Sequence, residues 1–233
     1  MNGVSGPARF RRSSYSSRTL KRYVIPFALL TGALIATDKE TAKLLPNTPD
    51  QARWSGRVSQ LGSGYTLVGI SARAFLLGKA TRNEHVKESG VLALAALGHT
   101  QVVVFTVKQM TNRRRPLPDR SSGGFWDGGD SFPSGHAATS FAVATVFAYE
   151  YHDHLIVPIA AYVLATLVSI SRVSAQRHSV SDIAVGGATG FLIGRFVYKQ
   201  HHNPALPGSP VKKALPSVAF STRGVQHGVG VLT

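Results

Sequence analysis

The sequence predicts an all-α fold: a bundle of about six helices, transmembrane, with its chemistry gathered at one end. Three observations predict it. Six apolar segments rich in Ala, Leu and Val lie near residues 23–37, 61–78, 89–107, 136–151, 155–171 and 182–198. Apolar runs of that length suit helices better than strands. Polar residues crowd the ends of the later segments instead of being scattered through them.

Residues 1–22 carry Arg9, Arg11, Arg12, Arg18, Lys21 and Arg22 among Ser and Gly with no acid, which reads as a disordered basic arm. The stretch Tyr23–Thr37 is apolar and short. It suits either a first membrane helix or the apolar region of a signal peptide. No clean small-x-small cleavage site follows, which favours the helix. The five later segments lack internal Pro except Pro158, placed in the first turn of its segment, where Pro is tolerated.

A span needs about 20 apolar residues. Several segments are shorter, Arg73 interrupts the second, and the mean hydropathy of the whole chain is only +0.04. Long polar ends dilute that average, however, and the 43% hydrophobic content is concentrated in the segments. A soluble bundle with apolar faces turned inward is the alternative. With six spans, a modest Lys/Arg bias places both termini in the cytoplasm and loops 38–60, 108–135 and 172–181 outside. The helical domain then covers 23–199. The tail 200–233 is polar, and its end from Ser217 to Val231 suits a small hairpin or disorder equally.

The formal net charge of +15 points to an anionic partner. The absence of cysteine excludes disulfides, zinc-thiolate sites and thiol nucleophiles.

Three short stretches carry the chemistry. The first runs from Lys108 to Arg115-Pro116 and closes the third helix; the second, Pro133-Ser134-Gly135-His136, opens the fourth. The third runs from Ser171-Arg172 through His178 to Asp182 and bridges the fifth and sixth. If the helices alternate in direction, all three meet at one end. Phosphoryl transfer asks mainly for positioning and charge stabilisation. Lys108, Arg115 and Arg172 supply three cations, the arginines with forked donors that match phosphate. Ser134 and Gly135 offer free N–H groups at a helix start.

Histidine serves as nucleophile or acid near neutrality. His178 and Asp182, four apart, share a helical face if the sixth helix begins near His178. The carboxylate then holds one imidazole nitrogen and leaves the other to attack phosphorus, while His136 protonates the leaving oxygen. Taken singly, each of these residues has a plainer reading as an interface anchor, a helix cap or a surface pair. Arg113, Arg114 and Arg177 keep that plainer reading as basic interface residues.

Together the stretches resemble the K-x6-R-P, P-S-G-H and S-R-x5-H-x3-D signatures of the type 2 phosphatidic acid phosphatase / vanadium-dependent haloperoxidase superfamily. All three are complete, and the resemblance covers roughly 60–199. It implies a helical bundle in which Lys108, Arg115, Ser134, Gly135 and Arg172 hold phosphate. It also implies His136 as acid, His178 as nucleophile and Asp182 as its partner. The expected activity is metal-independent hydrolysis of lipid phosphate monoesters or pyrophosphates through phosphohistidine, at a cell membrane with the site facing outward. Neither a cofactor nor a metal is expected, nor nucleic acid as partner; oligomeric state is not legible. The rival expectations are a soluble secreted acid phosphatase, a vanadate-dependent haloperoxidase (against which the short chain argues) and a non-catalytic protein that binds anionic lipid.

Overall fold

The computed structural model describes residues 20–44, 48–116 and 123–203. Most of the basic arm and nearly all of the tail, where a hairpin or disorder was expected, lie outside these residues. Seven α-helices occur among the described residues. They are α1 (Ile25–Leu44), α2 (Pro49–Leu61), α3 (Gly64–Ala80), α4 (Glu84–Thr111), α5 (Gly135–Glu150), α6 (Ile156–Ser174) and α7 (Val180–His201). A π-helical turn, Leu20–Val24, leads into α1. Six of the seven match the apolar segments.

The seventh, α2, lies in the stretch expected as loop 38–60. Its signals are local: Thr48 caps it by accepting the Gln51 N–H, and Pro49 occupies its first turn, where no N–H is needed. Few apolar residues follow, so hydropathy alone passes over it. Helix α1 also runs beyond the apolar stretch to Leu44, and this puts Asp38 inside a helix.

Helix α5 is the hub, packed against α4, α6 and α7. Its contact with α7 is the most extensive in the bundle, and it is close because Gly186, Gly190 and Gly194 recur every four residues along one face of α7. A Cβ at Gly190 would lie 2.0 Å from the Ala138 carbonyl oxygen, and one at Gly194 would lie 2.5 Å from that of Ala142. The facing residues Ala137, Ala138 and Ala142 are fully buried. Two backbones locked this closely fix the start of α5 against the start of α7, where the Ser134 N–H donates to the Asp182 carbonyl at 3.0 Å.

Three helices, α4, α6 and α7, are long and apolar enough to cross a membrane. Outward faces carry large apolar residues: Ile159, Val163, Leu167 and Ile170 on α6, and Leu192 and Phe196 on α7. A continuous apolar exterior of this kind suits lipid. Helices α3 and α5, at 17 and 16 residues, fall short of the usual span length. Much of α5 is buried inside the bundle.

Candidate active site

The chain turns sharply after α4, and that turn builds half of the site. Asn112 adopts the left-handed conformation that ends the helix, with φ 41°. The extended run Arg113–Arg115 is then bound by the returning loop: Arg114 N–H donates to the Gly124 carbonyl at 3.1 Å, and Ser131 N–H to the Arg113 carbonyl at 2.8 Å. Gly129 permits this close approach, since a Cβ there would lie 2.3 Å from the Arg113 carbonyl oxygen.

The three cations expected to hold phosphate are brought together. Arg115 forms a forked pair with Asp130, Nε–Oδ1 at 2.8 Å and Nη2–Oδ2 at 2.9 Å. Lys108 donates to the Asp130 carbonyl, and its Nζ stands 4.0 Å from the same carboxylate. Arg172 donates from Nη1 to Ser59 Oγ at 2.7 Å, while its buried Nε has no hydrogen-bond partner. Lys108, Arg115, Arg172 and His178 all lie within electrostatic reach of His136. Ser134 caps α5 and is buried, with its Oγ facing the Ala137 N–H, so its side chain serves the helix. A cavity of about 250 Å³ beside this cluster is lined by Lys108, Gly135, His136 and Thr139 and walled by Val104 and Phe105.

His178 sits just ahead of α7, which begins at Val180. Its Nδ1 is 2.8 Å from the Ser131 carbonyl oxygen and 3.5 Å from Asp182 Oδ2. A carbonyl only accepts, so Nδ1 carries the proton and Nε2 keeps its lone pair. Asp182 and the Ser131 carbonyl both face this nitrogen, the carbonyl at the shorter distance. Asp182 is also committed elsewhere. Its Oδ2 accepts the Ser179 N–H at 2.9 Å and the Ser131 hydroxyl, closing a capping box at the start of α7. Its charge still reaches the ring. Burial holds the His178 pKa below the ordinary 6.5; Asp182 opposes that shift, and Lys108 and Arg172 reinforce it.

Arg113 departs furthest from its sequence reading. It is 2% exposed, not a basic interface residue. Its Nη1 donates at 2.7 Å to both Ser181 Oγ and Asp182 Oδ1, and its Nη2 at 2.8 Å to Asp38 Oδ2. Asp38, also buried, accepts the Ser181 N–H at 3.1 Å and the Ser181 hydroxyl. Phe125 covers the guanidinium, 4.7 Å from ring centroid to Cζ. A buried Arg between two carboxylates ties α1 and α4 to the first turn of α7, one bond from the His178 partner. Arg114 and Arg177 keep the plain reading: Arg114 is exposed and 3.2 Å from Asp127, and Arg177 is exposed.

Sequence reasoning missed Arg113, Asp38, Ser131 and Asp130. An acid one residue past an apolar stretch was a usable signal for Asp38. Arg113 sits in a run of three arginines that spacing cannot separate. Ser131 acts through its carbonyl, on which its identity leaves no mark, and through a hydroxyl whose partner Asp182 is 51 residues away in sequence.

The PAP2 superfamily profile matches residues 89–205. The chain belongs to the PAP2 superfamily. It is similar to a lipid A 1-phosphatase of Porphyromonas gingivalis, 43% identical over 30% of this chain and 16% of that one. It also resembles a probable diacylglycerol pyrophosphate phosphatase of Schizosaccharomyces pombe, 36% identical over 33% of this chain and 34% of that one. Phosphatidylglycerophosphatase B of Bacillus subtilis is 34% identical over 45% of this chain and 54% of that one. The match thus spans about half, or less, of each relative's length.

Among solved structures, the chain superposes on a transmembrane PAP2-type phosphatidylglycerolphosphate phosphatase from Bacillus subtilis. The TM-score is 0.60 at 23% identity, covering 78% of this chain and 96% of that one. Aquifex aeolicus LpxE gives a TM-score of 0.52 at 24% identity, covering 76% and 94%. These likenesses establish a shared PAP2 fold.

Proposed function

We propose that this PAP2 protein is a metal-independent phosphatase acting on lipid phosphate monoesters or pyrophosphates through a phosphohistidine on His178. One observation carries the reading: the His178 imidazole donates its Nδ1–H to the Ser131 carbonyl, beside three converging cations. Nε2 is then the attacking atom. Lys108, Arg115 and Arg172 receive the phosphoryl oxygens, with the free Arg172 Nε as one donor that still lacks an acceptor. Attack forms the N–P bond and breaks the bond to the leaving oxygen, which takes a proton from His136; water, deprotonated by the same His136, then cleaves the phosphohistidine.

The lipid class is supported by the apolar Val104 and Phe105 wall beside the cations and by the apolar outer faces of α6 and α7. The names of the three relatives point the same way. With six spans, the Lys/Arg bias supports a site facing outward, into periplasm or extracellular space. The test offers purified protein in excess EDTA phosphatidic acid, diacylglycerol pyrophosphate, undecaprenyl pyrophosphate and a water-soluble phosphomonoester, and follows phosphate release. Turnover of a lipid substrate well above the soluble ester is expected. Complete loss on chelation, restored by magnesium, would contradict the mechanism.

A further inference from the structure

At the far end of the bundle a second polar cluster is buried, and the reaction above has no use for it. Counting 14 residues along α5 from His136 to Glu150 places it about 21 Å from the catalytic cluster. Glu88 comes from the first turns of α4, Glu150 from the last turn of α5, and His202 follows α7. Their side chains are 12%, 0% and 4% exposed. His202 Nδ1 lies 3.2 Å from Glu150 Oε1 and 3.3 Å from Glu88 Oε1, and one ligand atom from each residue falls within 4.8 Å of the others.

We infer that Glu88, Glu150 and His202 form a binding site for a divalent transition-metal ion of the zinc class, which clamps the ends of α4, α5 and α7. Three arguments carry this. First, the spacing fits. Ligands about 2.0–2.1 Å from a tetrahedral zinc are about 3.3 Å apart, close to both His202–carboxylate distances. Second, the carboxylates are under-satisfied: Glu88 Oε2 is buried and makes no hydrogen bond, and Glu150 Oε2 is faced by the His85 imidazole alone, at 2.8 Å. Two buried carboxylates side by side repel unless a positive charge lies between them, and a cation answers both costs. The Tyr198 hydroxyl, within electrostatic reach of both acids, is also buried without a partner.

Third, the surroundings suit a held ligand set. His85 Nε2 stands 2.9 Å from the Glu150 backbone carbonyl and 2.8 Å from Glu150 Oε2, so it carries the proton and orients the carboxylate as an outer partner. Tyr198 stacks on the His202 ring with centroids 4.5 Å apart. A cavity of about 510 Å³, lined in part by Glu84, Glu88 and Asn203, opens beside the site and gives an ion a way in. One imidazole among two carboxylates favours zinc over magnesium or calcium, which prefer oxygen alone. Such an ion is structural and lies away from the chemistry, so it is compatible with catalysis that needs no metal.

The test uses the full chain without an affinity tag, purified in detergent, stripped with chelator and dialysed. Titration with zinc should show saturable uptake of one ion per chain and raise Tm. Glu88→Gln and Glu150→Gln should each weaken uptake at least tenfold and abolish the Tm rise, and His85→Ala should weaken it about tenfold. Should Glu150→Gln fail to fold, Glu88→Gln, at the cavity mouth, still decides. Absence of saturable uptake, uptake unchanged in Glu88→Gln, or equal affinity for magnesium would overturn the assignment.

Discussion

The two ends of the bundle bury charge in opposite ways. At the catalytic end cations outnumber acids: Lys108, Arg115 and Arg172 converge, and the buried acids Asp38 and Asp182 are satisfied by Arg113 and by backbone and hydroxyl donors. At the far end acids meet imidazoles, and the buried Glu88 Oε2 has no donor. A surplus of positive charge with a free Arg172 Nε is arranged to receive an anion. A surplus of acceptors is arranged to receive a cation. The same bundle therefore carries oppositely charged clusters at its two ends, and substitutions should separate them cleanly.

The largest effect should come from Arg113. Arg113→Ala leaves Asp38 and Asp182 buried and uncompensated, and breaking a buried pair in this way costs about 3–5 kcal/mol. Thermal unfolding in detergent should show a large drop in Tm, with turnover lost. Asp38→Asn keeps the shape and removes one charge, so it should be milder in Tm. Near-wild-type stability of Arg113→Ala would break the claim that the network holds the catalytic end together.

Next comes pH. The folded His178 pKa lies below 6.5, so activity that needs neutral Nε2 persists above that pKa and falls as pH drops through it. Asp182 raises the value, so Asp182→Asn should move the acid limb of kcat/KM to lower pH while kcat falls. A limb that moves upward would mean Asp182 does not act on His178 by charge.

Substitutions at the far end sharpen the contrast from the other side. Glu150→Gln should change zinc uptake and Tm while leaving the pH profile of turnover in place. The smallest effect belongs to Asp130, whose carboxylate sits on Arg115 and Lys108; its own pKa is held low chiefly by the Arg115 hydrogen bond. Asp130→Asn removes a negative charge from the path of an anionic substrate. KM should fall by about twofold to fivefold, the scale of an exposed ion pair, with kcat little changed.

How much of this was legible in the sequence differs between the two ends. At the proposed catalytic end the placement of Lys108, Arg115, Ser134, Gly135, His136, Arg172, His178 and Asp182 was legible, because the spacing of their three motifs puts them at helix ends; their roles rest on the proposed function. Partners from the chain outside those motifs could not. Asp38 reaches the site from 143 residues before Ser181, and only packing brings them together. At the far end Glu88, Glu150 and His202 lie at the ends of three helices separated by long stretches of chain, with no local pattern joining them. Helix α2 was missed because capping chemistry, not apolar periodicity, marks it.

The central claim, that His178 Nε2 becomes phosphorylated, is tested most directly by rapid quench with a radiolabelled activated aryl phosphate, held at alkaline pH to preserve the P–N bond. The account predicts labelled phosphohistidine and a burst of phenol in the wild type. His136→Ala should retain both, since an aryl leaving group needs little protonation, and His178→Ala should show neither. Normal label in His178→Ala with none in His136→Ala would contradict the account and exchange the roles of the two histidines.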